Sequence, residues 1–185
     1  MRCATRAGLA VVFLLALRHA AADPVHYRIE PALTSVEFSI VQFGVFVHHG
    51  RFARTSGAIV YDAAIPLGNV ALDIAATSVT TGWNARDEFI RGEDLFDAER
   101  HPVVRFRSTH FEFVADRLVR VDGSLTLHGA TRLVSFVILR ADCGRETCVA
   151  EASATIQRRD FGMDFAWPLI GDDVWLKLRV SAVRE

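Results

Sequence analysis

Thr81–Ser108 reads TGWNARDEFIRGEDLFDAERHPVVRFRS, and its periodicity changes partway along. Asn84 is a candidate helix N-cap, and Asp87 three positions later completes something close to a capping box. Arg86–Arg91 supplies a short helical run whose main apolar residues are Phe89 and Ile90, and Gly92 is placed to end it. A helix this short is not stable alone and must be held by packing. Pro102 returns the chain to extended geometry. Beyond it Val104, Phe106 and Ser108 face one way and Arg105 and Arg107 the other, as in a strand buried on one face. A lone helix among strands usually plugs or lids something, so the question is what the strands enclose.

Outward from this segment the pattern is almost entirely β. Val36–Ile40, Ala58–Tyr61, Val70–Ile74, Phe111–Val114, Leu118–Val121, Ser124–Leu127, Val149–Ile156 and Val174–Val180 read as strands. Gly44 opens a kink or bulge in a run that continues in extended style to Gly57. Pro66–Asn69, Ala115–Arg117 and Gly129 mark turns, Asp122-Gly123 marks a bulge, and Asp160–Met163 is a break. Leu133–Leu139 is apolar at both parities, so alternation does not decide its inward set. Many short strands in one domain indicate a sandwich or a barrel. A closed antiparallel barrel removes aggregation-prone edges, and about eight strands leave room for one ligand. The expected fold is therefore all-β, with the short helix after the third or fourth strand.

Residues 1–22 read as a secretory signal: Arg2 and Arg6, then apolar Gly8–Leu17, then Ala20-Ala21-Ala22. The apolar run is too short for a membrane span, and Cys3 precedes it, away from any lipidation position at the cleavage site. Residues 23–185 are the size of one domain and hold no transmembrane-length apolar run. The chain's formal net charge is −1, and loss of Arg2, Arg6 and Arg18 with the leader takes it to −4, which argues against nucleic acid as a partner. Cys143 and Cys148, in CGRETC, are too few for a zinc site, which wants four ligands. In an exported protein they are expected to form a disulfide closing a short loop. The expected location is the periplasm or the extracellular medium.

Four motifs in order carry a family resemblance. Tyr27–Pro31 followed by Thr34–Phe38 resembles the opening of the YceI-like, polyisoprenoid-binding family. Thr81-Gly82, Asn84, Arg86-Asp87, Leu95-Phe96-Asp97 and His101-Pro102 resemble its central motif. Gly123–Thr131 resembles its second motif and Arg159–Met163 its third. The resemblance implies residues 23–185 form an exported lipocalin-like antiparallel β-barrel. It further implies a long apolar ligand inside, such as a polyisoprenoid, quinone-like or fatty-amide molecule. One departure stands out: members often carry His before the glycine near the end of the first strand, where this chain has Gln42-Phe43-Gly44. A head group met by that His would be met differently here.

The many phenylalanines suit either a packed core or an apolar pocket, and the resemblance favours the pocket. Alternation makes Phe38, Ile40, Leu72, Ile74, Phe106, Leu125 and Leu127 the inward residues, with Phe43, Phe46, Phe89, Phe136 and Phe161 as further lining. Trp83 and Trp167 lie in breaks and are expected to flank a mouth. Arg86 suits bidentate contact with a phosphate-like head group, or it pairs locally while Asp87 stabilises the helix N-terminus. His48 and His49 are adjacent, so on a strand they point to opposite faces, and no HxH or HExxH spacing exists. No G-x-S-x-G or other nucleophile constellation is present. The expectation is a non-enzymatic carrier or storage protein for one long-chain lipid, with no metal and no other cofactor. The competing readings are an enzyme on the same lipid through Arg86, Asp87 and His128, and a stress-induced binding module without resident ligand. The sequence leaves homodimerisation open.

Overall fold

The computed structural model describes residues 24–62 and 67–185. The signal reading of residues 1–22 and Pro66 of the turn cluster lie outside the described residues. Eleven strands run in order: β1 Val25–Ile29, β2 Ser35–Gln42, β3 Phe46–Phe52, β4 Thr55–Asp62, β5 Leu67–Ala75, β6 Val79–Thr80, β7 Val103–Val114, β8 Arg117–Leu127, β9 Ala130–Cys143, β10 Thr147–Gln157 and β11 Ile170–Arg184. Helix α1, Asn84–Arg91, interrupts them between β6 and β7.

Every pairing is antiparallel, and the register shows why eleven strands make an eight-stranded barrel. β1 and β2 both pair with β11, either side of the 3-10 turn Pro31–Leu33, so together they form one bent barrel strand. β4 pairs with β1 and β3 with β2, which makes β3–β4 a second composite strand. β5 pairs with β4, and β6 continues it alongside β3. β7 to β11 then follow as a meander, and β11 returns to β1 and β2 to close the ring. Among the described residues closure leaves no long edge strand to be protected. Counted in barrel strands, the helix follows the third.

Alternation decides what faces inward. Val121, Leu125 and Leu127 of β8, Val104 and Phe106 of β7, and Leu72 and Ile74 of β5 are buried. On β9 the even positions Val134 and Phe136 turn in, while Leu133, Val137 and Leu139 are exposed. Three local expectations are corrected. Phe43-Gly44 is a tight reversal between β2 and β3, both residues having positive φ, not a kink in a continuing strand. Leu67–Asn69 belong to β5. The bulge near Asp122-Gly123 lies on the partner strand, where Thr109 is skipped between Ser108↔Gly123 and His110↔Asp122.

The predicted disulfide is present. Cys143 and Cys148 are directly opposite on β9 and β10, and they are bonded. Among the described residues no helix is long and apolar enough to cross a membrane.

Candidate functional site

The barrel interior contains a cavity of about 360 Å³ at the end covered by α1. Three segments shape its rim: the adjoining ends of β2 and β3, α1 and the loop between β10 and β11. The amide of Phe43 donates to the Leu169 carbonyl at 2.7 Å, tying the β2–β3 turn to that loop. The rings of Phe89 and Phe165 meet edge to face at 5.1 Å, tying the helix to the same loop. Below the helix Phe96 packs against Phe38 and Phe52, with ring centroids 6.2 and 5.4 Å away.

The walls are strand residues. Phe38, Ile40, Leu72, Ile74, Phe106, Leu125, Leu127 and Phe136, all expected to line the interior, do so, and Phe89 reaches in from α1. The expected lining fails at three positions. Phe43 and Phe46 sit at the tip of the β2–β3 hairpin, are 56% and 60% exposed, and do not line the cavity. Phe161 is buried, but in the 3-10 turn after β10, where its carbonyl accepts from His128 Nδ1 at 2.9 Å instead of facing the cavity. Trp83 lies on the rim as expected. Trp167 is not among the residues that line the cavity; its ring is half exposed and lies under the Arg159 guanidinium at 4.9 Å.

A polar chain crosses the mouth. Arg86 lies over the Trp83 ring at 5.7 Å and donates through Nε to Thr81 Oγ1 at 2.8 Å and through a terminal nitrogen to the Thr81 carbonyl at 3.1 Å. Its other terminal nitrogen donates to His48 Nδ1 at 3.0 Å. An arginine can only donate, so Nδ1 accepts and the ring proton sits on Nε2, which donates to Gln42 Oε1 at 2.7 Å. Gln42, His48 and Arg86 all line the cavity. Among the described residues none of Arg86's hydrogen bonds goes to a carboxylate, and two of its five N–H groups have no partner. His49, one residue on, is exposed on the opposite face, as alternation requires.

Asp87 anchors this arrangement in a way the capping pattern misses. The helix begins at Asn84 with Trp83 at the N-cap position, and no side chain caps it. The Asp87 carboxylate turns back to the chain before the helix, accepting from the Thr81 amide at 2.7 Å, the Thr81 hydroxyl at 2.6 Å and the Thr80 hydroxyl at 2.9 Å. Asp87 is buried, and the hydroxyl of Thr81 holds its carboxyl below the usual carboxylate range against the opposing effect of desolvation. Thr81 thus links Asp87 to Arg86. His128 is elsewhere, between the carbonyls of Phe161 and Glu93. The three residues of the enzyme reading are therefore not brought together.

Arg158 was missed by the sequence reading. It is 2% exposed, lines the cavity, and donates to the carbonyls of Gly171 at 2.8 Å and Ile170 at 3.0 Å, and to that of Met163. Burial lowers its pKa from the usual arginine value. It pins the irregular start of β11, where three residues are skipped between Ile170↔Gln42 and Val174↔Ile40. The doubled basic pair Arg158-Arg159 was the only available signal.

Comparison with known proteins gives a consistent family. Residues 27–182 match the model of the YceI-like domain. A UPF0312 protein of Pseudomonas aeruginosa is 30% identical over 156 residues, 81% of each chain. One from Pseudomonas putida is 28% identical over 134 residues, 69% of this chain and 70% of its own. Among solved structures, Burkholderia cenocepacia BcnA superposes with a TM-score of 0.75 at 21% identity, over 83% of this chain and 98% of its own. A polyisoprenoid binding domain from Saccharophagus degradans, implicated in plant cell wall breakdown, superposes with a TM-score of 0.69 at 18% identity, over 87% of this chain and 99% of its own. At these identities the structural matches establish the fold.

Proposed function

Because the chain belongs to the YceI-like family, we propose that it is an exported carrier or storage protein for a lipid with a prenyl or fatty chain. The chain lies in the α1-end cavity and a hydrogen-bond-accepting head lies at the mouth. The observation that carries this reading is the pairing of an apolar cavity with an arginine that, among the described residues, has free donors and no carboxylate partner. The tail supplies affinity through burial, at about 25 cal/mol per Å² before ordering costs. Arg86 supplies head-group selection, and a phosphate, carboxylate or carbonyl fits its donors. The Saccharophagus domain's polyisoprenoid binding supports a prenyl tail. The Cys143–Cys148 bond and the leader-like N-terminus support export.

The test is organic extraction of the protein purified from an exporting host, followed by mass spectrometry. A stoichiometric, unmodified lipid is expected, and Arg86→Ala weakens retention of an acidic lipid about tenfold. A clean extract, together with no uptake of added lipid, would sink the proposal. Conversion of added lipid that is lost in Asp87→Ala would favour an enzyme instead.

A further inference from the structure

The barrel holds a second cavity, of about 490 Å³, at the end opposite α1. The two cavities meet at the same four side chains, Leu72, Phe106, Phe136 and Leu178, which face both. These come from β5, β7, β9 and β11, with β5 and β7 neighbours in the ring, and their facing both cavities makes them one layer across the interior. All four are buried.

The layer is held in place. Phe106 and Phe136 meet edge to face at 5.1 Å with an 81° interplanar angle. Leu72 and Phe106 are register partners. The Phe106 ring lies in the notch left by Gly123, where a Cβ would come within 2.5 Å of it. Beyond the layer the second cavity is apolar near the waist and charged farther out, with Asp116, Arg117, Arg140 and Asp142 on its lining.

We propose that this waist sets the maximum tail length of the ligand. The α1-end cavity is near the lower limit of small-molecule pockets, which run from about 300 to 1,000 Å³. A tail anchored at Arg86 fills it and stops against Phe106 and Phe136. A longer tail would have to displace an edge-to-face pair seated on a glycine, and the charged far end gives its terminus nothing in return. Short prenyl and fatty chains are therefore the preferred class, and very long polyprenyl chains are excluded. The inference rests on lipid occupying the α1-end cavity.

The experiment is displacement of an apolar naphthylamine fluorophore by geraniol, farnesol, geranylgeraniol and solanesol delivered in detergent. In the wild type, affinity climbs with length to a limit within the series and then falls. In Phe136→Ala the limit moves to a longer prenol, which tightens on the order of tenfold. Adding Ala150→Phe, which fills the second cavity from β10, restores the wild-type limit. Phe136→Leu, scored in the same way, gives an intermediate shift and serves if the alanine variant does not fold. A wild type without a limit, or an unchanged limit in the waist variants, overturns the waist while leaving lipid binding intact. Failure of every prenol to displace the fluorophore from every variant overturns both.

Discussion

Asp87 shows how a residue can be picked out for one reason and serve another. The spacing from Asn84 matches a capping box, yet its carboxylate accepts three bonds from Thr80 and Thr81, and the helix N-terminus is uncapped. That the residue would be charged and held was legible in the sequence. Its partners were not, because the helix starts earlier than the pattern places it, at Asn84 with Trp83 in the N-cap position. The same geometry makes Asp87 a source of pH-dependent stability. Its carboxyl titrates lower in the folded chain than in the unfolded one, so the stabilisation is complete above the unfolded value of about 3.9. It fades as pH falls through the lower folded value. Asp87→Asn should therefore lower stability at neutral pH, and its deficit relative to wild type should shrink as pH drops below about 4. Urea titrations at a series of pH values would check this, and a deficit that does not vary with pH would mean that ionised Asp87 contributes no stability. The partners of Arg86 were equally hidden: His48 and Gln42 are 38 and 44 positions away in sequence and meet it only because the β2–β3 hairpin folds back beside α1.

At the scale of elements, alternation read most of the barrel correctly. Val104 and Phe106, Leu72 and Ile74, and Leu125 and Leu127 turn in as expected, because a half-buried strand has one parity to offer. The failures fall where period two carries no information. In Leu133–Leu139 both parities are apolar, and only pairing with β8 and β10 selects Val134, Phe136 and Ile138. At Phe43 and Phe46 the composition is that of a lining strand, but the positive φ of Phe43 and Gly44 reverses the chain at the rim. Cross-strand accommodation of a ring by a glycine is also invisible to alternation. Gly50 of β3 is directly opposite Phe38 of β2, and a Cβ there would lie 2.2 Å from the ring. Gly50→Ala should push Phe38 into the cavity, costing about 1–3 kcal/mol of stability through overpacking. Because Phe38 lines the α1-end cavity, the variant should also bind lipid less well. Denaturant unfolding and lipid titration on the same sample would check both effects. Loss of stability with unchanged binding would mean that the ring relaxes away from the cavity.

On the scale of the molecule, the two ends of the barrel do different work. The α1 end carries the mouth, the aromatic rim and the Gln42–His48–Arg86 chain. At the opposite end local pairing ties neighbouring strands together. Cys143 and Cys148 join β9 to β10 at their tip, and the Tyr27 hydroxyl donates to the Gly144 carbonyl within the same tip. The waist at Phe106 and Phe136 stands between the ends, and a packed layer of this kind isolates one from the other. Removing the disulfide is therefore a clean way to separate stability from binding. The bond spans only five sequence positions, so the loop-entropy account assigns it about 2 kcal/mol. Cys143→Ser/Cys148→Ser should lower the melting temperature by about 5 °C. Affinity for a prenol that stops at the waist should be unchanged, since neither cysteine lines the α1-end cavity. Both cysteines do line the opposite cavity, so the combination with Phe136→Ala should weaken only the longer prenols that the opened waist admits. Calorimetry of the double cysteine variant with and without the short prenol would read both quantities. An equal loss of affinity for short and long chains would show that the ends are coupled and that the waist does not isolate them.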